Sequence, residues 1–172
     1  ERSLLQAFLS WVKHHDPDVL IGWNVVAFDL AFLVKRAKDL GLPFTLGRGG
    51  ARCDIIHPSG PRQTHITRLP GRVLLDGIPL MRMGAWALES YSLENVSQVL
   101  LGSGKLIQGA TDKVEEINRQ FREDKPALAR YNLEDCRLVH EIFEKSDLLN
   151  FAIERTCLTG LPLDRLGGSV AA

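Results

Sequence analysis

No apolar run in this 172-residue sequence approaches the ~20 residues that cross a bilayer as a helix, and no signal-type segment opens it. A membrane partner is therefore not expected. Cysteine is scarce. Cys53, Cys136 and Cys157 are odd in number and too scattered for a Cys-x-x-Cys pair, which argues for packing thiols in a reducing, cytoplasmic setting. An excess of either charge is also missing, since 21 Lys and Arg balance 21 Asp and Glu. Composition thus excludes a strongly basic nucleic-acid footprint, although a metal-dependent site on nucleic acid calls for carboxylates rather than lysines. There is no internal repeat, no low-complexity segment and no initiator Met. The chain begins "ERSLLQAF", already in a helical pattern, and ends "GLPLDRLGGSVAA", so it is expected to be a piece of something longer. What is present is a globular balance in a length that makes one domain with a real core.

Leu5, Phe8, Leu9 and Val12 predict an amphipathic first helix that stops at "HHDPD", where Pro17 ends it. "DVLIGW" is a short, almost wholly apolar run, the pattern of a buried parallel strand over 18–22. "VVAFDLAFLVKRAKDLG" reads as a helix closed by Gly41 at the C′ position. Helix, strand, helix in that order is an α/β signature. Residues 43–70, rich in Gly, Pro and Arg, predict a surface excursion with a β-hairpin around Ile55 and Ile66. "GRVLLDG" is another strand. Helical patterns follow over 79–88, 92–101 with Ser92 as N-cap, 111–123, 125–146 and 147–158. The fold class is α/β with a helix-rich C-terminal half.

Two carboxylates stand out. Leu128, Tyr131, Asp135, Leu138 and Ile142 fall on one helical stripe. An aspartate on a face that a helix buries carries a charge that something must compensate. In "LIGWNVVAFDL", Asn24 lies where the apolar strand ends and Asp29 about one turn into the next helix. Ligands of open α/β sheets gather outside the carboxyl ends of strands. A carboxylate near a helix N-terminus is held ionised by the partial positive charge there, and ionised carboxylates are what a hard cation such as Mg²⁺ takes.

Asn24-x3-Phe28-Asp29 resembles the second exonuclease motif of family B DNA polymerases, and Tyr131-x3-Asp135 resembles their third, the tyrosine version of the 3′→5′ proofreading signature. The spacing between the motifs, the "GRVLLDG" strand and the "SLENVSQVLLG" helix fit the same family, from about residue 3 to the end. Each motif alone is short; two in order, in matching context, are specific. The resemblance implies a ribonuclease H-like exonuclease fold over 1–158, truncated by the loss of its opening antiparallel strands, with 159–172 starting the connection to the polymerase domain. It implies two-metal phosphodiester hydrolysis, in which two Mg²⁺ or Mn²⁺ ions about 4 Å apart clamp the attacking and leaving oxygens. Asp29 and Asp135 are then the metal-binding carboxylates. Tyr131 is the third catalytic residue. It orients a water rather than acting as a base, because a phenol has a reference pKa of about 10. Phe28 stacks on or wedges the terminal base, and Asn24 bonds the strand being cut. The implied partners are the single-stranded 3′ end of DNA and, for the parent polymerase, nucleoside triphosphates.

One departure outweighs any single match. The family's first motif, Asp-x-Glu on the first strand, has no counterpart upstream of Asn24. With half the carboxylate set, this chain alone is expected to bind Mg²⁺ weakly and to cut DNA near background. The strand at 18–22 is expected to keep an open edge, so that the chain either self-associates or shows an apolar concavity near Leu20, Trp23 and Phe28. The competing expectation is a non-catalytic scaffold or single-strand DNA-binding module of the same fold. An Asp-x-Glu in strand context ahead of Glu1 in the parent gene separates the two.

Plainer readings stand beside these. Asp135 could pair with Arg130 or Arg137 at the rim of its stripe; Asp29 could compensate a helix dipole; Tyr131 and Phe28 could be core aromatics. Asp76, before Gly77, reads as a turn residue outside the site. "LLGSGKLI" fails as a phosphate loop because Val99 and Leu106 stand where Gly and Ser or Thr are needed. Cys53, His57 and His65 are too loosely spaced for zinc. His14 and His15 suit a helix C-terminus. Arg48, Arg52, Arg62, Arg68 and Arg72 read as a solvated loop or, alternatively, a phosphate-contacting arm.

Overall fold

The computed structural model describes residues 1–56, 66–84, 86–102 and 113–165. They form a helix-rich α/β structure with two small sheets, divided into two compact units: Glu1–Gly84 with the segment from Asn150, and Ala85–Leu149.

The first unit opens with α1 (Arg2–His15), which ends where Asp16 takes a left-handed φ of 46° ahead of Pro17. Lys13, His14 and His15 fill its last turn, where positive charge suits the helix dipole. Leu5 and Val12 are buried with Leu9 packed beside them. Phe8 does not join them. It belongs to a second stripe, Leu4–Phe8–Trp11, that faces solvent. β1 (Val19–Gly22) pairs in parallel with β4 (Val73–Asp76), from Val19 opposite Val73 to Gly22 opposite Asp76. β1 is largely half-buried rather than buried, with Ile21 exposed, because β4 is its one strand neighbour among the described residues.

A π-turn (Val26–Leu30) leads into α2 (Ala31–Asp39), and Gly41 follows at φ 61° in the C′ position. After a 3-10 turn at Arg48–Gly50, β2 (Asp54–Ile56) pairs antiparallel with β3 (Ile66–Arg68), Ile55 opposite Thr67. The expected hairpin is there, but the stretch is not a mere surface excursion: Phe44, Leu46, Cys53, Thr67 and Leu69 are buried. α3 (Gly77–Met83) starts on the side chain of Asp76, which accepts from the Ile78 N–H. It stops at Gly84 rather than at 88, since glycine is the weakest helix former after proline, and Trp86 beyond it is non-helical, its carbonyl accepting from the Tyr91 hydroxyl at 2.8 Å. Leu5, Val12, Leu30, Ala37, Phe44, Leu46, Cys53, Leu69 and Leu74 form one core cluster. Each leucine in it contributes about 1.5–3 kcal/mol by burial.

In the second unit, Ser92 caps α4 (Leu93–Leu101) by accepting from the Asn95 N–H, and Gly102 closes the helix at φ 69°. α5 (Lys113–Glu123) and α6 (Lys125–Lys145) follow. Asp124 caps α6 by accepting from the Ala127 N–H at 3.0 Å, with Pro126 in the first turn. α6 packs against α4 and α5, burying Leu138, Val139, Ile142 and Phe143 along one face. α7 (Leu148–Thr159) belongs to the first unit from Asn150 onward, where Arg155 donates to the carbonyls of Pro162, Leu163 and Arg165.

Cys53 is a packing thiol, as expected, but Cys136 and Cys157 are exposed. Among the described residues, no helix is long and apolar enough to cross a membrane.

Candidate functional site

The strands β1 and β4 end side by side, and the chain turns at once after β1. Gly22 is required there by space: a Cβ in its place would stand 2.4 Å from the Cβ of Val25. Asn24 then takes φ 57°, a left-handed conformation that asparagine tolerates better than most residues. At the end of β4, Asp76 is only 8% exposed. Its carboxylate accepts the Asn24 N–H at 2.9 Å and the Val26 N–H at 3.3 Å, besides the Ile78 N–H at 3.2 Å. Burial pushes the Asp76 carboxyl above its ordinary value, and the backbone donors around it pull the other way. One side chain thus ties both strand ends together and starts α3. The turn role expected for Asp76 is too small; the missed signal was an aspartate ending an otherwise buried strand.

Beyond this clamp, Asn24, Phe28 and Asp29 are all exposed, Phe28 by 70%. Phe28 is therefore no core aromatic. The Asp29 carboxyl is shifted upward, because protein packed to one side withholds water from it, while its own backbone N–H pulls the value down. That direction is the reverse of what a helix N-terminus alone imposes: partial burial outweighs the local donor. Leu20 and Trp23 are half-buried.

In the second unit, the expected stripe is present on α6. Tyr131 and Asp135 are half-buried one turn apart, and Leu138 and Ile142 continue the stripe fully buried. The Oδ1 atom of Asp135 is shielded from solvent. Arg137, considered as a counter-ion for Asp135, is held by Glu134 and Glu141, each at 2.6 Å. Its hydrogen bond lowers the Glu134 carboxyl from the usual range. The first unit holds Asn24, Phe28, Asp29 and Asp76; the second holds Tyr131 and Asp135.

Among the described residues, no three His, Cys, Asp or Glu side chains converge to hold a metal ion. Carboxylates of the Asp29 and Asp135 type suit a hard cation, but their number falls short of a complete site. His57, Arg62, His65 and residues 103–107 of the "LLGSGKLI" stretch lie outside the described residues. Two of the clustered arginines are structural rather than phosphate-facing. Arg72, with a side chain 3% exposed, pairs with Asp16 at 2.8 Å and donates to the Leu46 carbonyl. Arg48 pairs with Asp16 at 2.9 Å and Asp18 at 2.6 Å and donates to the Gly71 carbonyl. Arg48 and Arg72 hold the Asp16 carboxyl below its ordinary value. With Lys13, Thr45 and Gly49 this node lines a cavity of about 420 Å³. Arg52 and Arg68 remain exposed.

A family model described as DNA polymerase family B, exonuclease domain, matches residues 1–96, which contain the whole Asn24–Asp76 corner. The chain belongs to the exonuclease domain of family B DNA polymerases. It is similar to DNA polymerase II of Escherichia coli (strain K12), with 46% identity over 170 residues, covering 99% of this chain and 22% of that protein. The DNA polymerase of Thermococcus litoralis is 36% identical over 148 residues, covering 83% of this chain and 8% of that protein. The DNA polymerase delta catalytic subunit of Bos taurus is 33% identical over 177 residues, covering 96% of this chain and 16% of that protein. The chain therefore spans less than a quarter of the length of these family B relatives.

Proposed function

We propose that this chain is the 3′→5′ proofreading portion of a cytoplasmic DNA-directed DNA polymerase that extends DNA from nucleoside triphosphates. The observation that carries the reading is the corner after β1. There, inside the family-matched segment, Asn24, Phe28 and Asp29 project from the carboxyl ends of two parallel strands, where α/β sheets take their ligands. The fold is read as ribonuclease H-like, with β1 and β4 as the parallel part of its sheet. In the proposed site, Phe28 stacks on the terminal base of a single-stranded 3′ end and Asn24 bonds the strand. Tyr131 orients water through its hydroxyl. By the family resemblance, Asp29 of the first unit and Asp135 of the second are each a carboxylate for Mg²⁺ or Mn²⁺, which when bound would supply charge stabilisation at the phosphodiester. Because their number is short of a full ligand set, no catalytic step is assigned to this chain alone.

The test is digestion of a labelled single-stranded oligonucleotide in the presence of Mg²⁺. The 172-residue chain leaves the substrate intact to near background. Joined to an upstream segment carrying Asp-x-Glu, it shortens the substrate from its 3′ end, and Asp29→Ala or Asp135→Ala abolishes this. Digestion by the extended chain that survives both substitutions overturns the site. Binding without digestion by the extended chain supports instead a non-catalytic single-strand module.

A further inference from the structure

We infer that Asp76 is a positioning residue of the Asn24–Asp29 corner: its buried carboxylate fixes the backbone from which Asn24, Phe28 and Asp29 project. The inference rests on the site reading above. Its support is an excess of function over what local structure needs. Starting α3 requires one acceptor for the Ile78 N–H, a role that serine, threonine or asparagine fills as well. Asp76 does more. Its Oδ1 takes the Ile78 and Asn24 amides, and its Oδ2 takes the Val26 amide. Two of these donors belong to a segment 50 and 52 positions away. Only a carboxylate offers two acceptor oxygens pointing in two directions; asparagine at this place would turn an NH2 toward one of the donors.

The donors it holds are those that define the corner. The parallel register sets Gly22 opposite Asp76, so the carboxylate lies beside the residues that follow β1. Asn24 is in the left-handed region, and Val26 is the first residue of the π-turn that carries Phe28 and Asp29. The turn has little slack, since Val25 already closes on Gly22. Withdrawing the acceptors releases two amides at once, in the stretch whose side chains the site uses.

Asp76→Ser separates the two roles. Serine still caps α3 but is too short to reach Asn24 and Val26. In the 172-residue chain, amide exchange at Ile78 is expected to stay slow, while exchange at Asn24 and Val26 accelerates about tenfold. Affinity for a fluorescein-labelled single-stranded oligothymidylate, read by anisotropy well below the melting midpoint, falls to the level of Asn24→Gly. Asp76→Asn, which keeps one acceptor, lies between the two, and it carries the comparison if the serine variant does not fold. A purely structural role lowers the melting midpoint of both variants but leaves the affinity of the folded chain unchanged. Unchanged exchange at Asn24 and Val26 in Asp76→Ser overturns the inference whatever the DNA does. Affinity retained in Asp76→Ser but lost in Asn24→Gly and Phe28→Ala overturns it and leaves the site reading standing. Affinity unmoved by Asn24→Gly and Phe28→Ala removes the site reading, and this inference with it.

Discussion

Replacing Gly22 by alanine tests whether the corner after β1 is set by packing. The new methyl carbon would stand 2.4 Å from the Cβ of Val25 and 2.8 Å from each of its Cγ atoms, against roughly 3.5–4.0 Å for unstrained carbon pairs. Rotating Val25 about χ1 moves its Cγ atoms but not its Cβ, so side-chain adjustment cannot relieve the shortest contact. The backbone has to yield. Overpacking of this kind costs about 1–3 kcal/mol. The opposing effect is smaller. Gly22 is not among the glycines of positive φ, so alanine suffers no conformational penalty there, and its stiffer unfolded chain returns about 0.4–1 kcal/mol. The net expectation is a loss of about 1–2 kcal/mol. With a urea slope of about 2 kcal/mol per molar, the midpoint drops by about 0.5–1 M, followed by tryptophan fluorescence, to which Trp23 next door contributes. Val25→Gly in the same chain takes away the clashing Cβ and should recover part of the drop. A Gly22→Ala midpoint equal to or above that of the unaltered chain refutes the packing argument.

Phe28→Ala removes an exposed side chain, so stability should move by less than about 0.5 kcal/mol. Oligothymidylate affinity should fall about fivefold or more if a base stacks there, and equal affinities would exclude stacking. Ellman's reagent should label Cys136 and Cys157 quickly and Cys53 only on unfolding, because burial pushes the Cys53 thiol up to about 11; fast labelling of all three contradicts the packing described. The same shift means that the folded chain keeps this proton to higher pH than the unfolded chain. Cys53 therefore makes stability fall as pH rises from 9.0 toward about 11, a slope that Cys53→Ala should flatten in alkaline melts. Leu4, Phe8 and Trp11 expose apolar surface on α1, and Ile21 does so on a strand with one described neighbour. Sedimentation at micromolar concentration should show self-association, and a clean monomer refutes it.

Much of the scaffold was legible because it depends on local chemistry. Ser92, Gly41 and Pro17 mark helix ends by capping and by backbone constraint, and each sits at the end it signals. The apolar runs of β1 and β4 revealed strands. The α6 stripe needed only the helical repeat. What escaped depends on partners distant in sequence. Nothing local distinguishes Phe8, on the open stripe of α1, from Leu5 on the packed one. Arg48 and Arg72 read as loop charges until Asp16 and Asp18 are seen against them. Asp76 read as a turn residue because its main donors, Asn24 and Val26, lie on another strand's far side in sequence. At the candidate site itself, the residue types of Asn24, Phe28 and Asp29 were visible, but the clamp that shapes their backbone was not.

The parallel pairing of β1 with β4 also sets a timetable for folding. Parallel neighbours cannot be joined by a tight turn, and the Asn24–Asp76 contact closes a loop of 52 positions. The entropy of closing such a loop must be overcome before any contact across it forms, which makes it slow relative to helix contacts four residues apart. During synthesis α1 can therefore form as soon as it emerges, whereas β1 lacks its β4 partner until Asp76 has been made. A stall anywhere in the hairpin region leaves that strand available to chaperones or to neighbouring nascent chains. The corner proposed to handle DNA thus takes shape only after the whole segment from β1 to the end of β4 has been made.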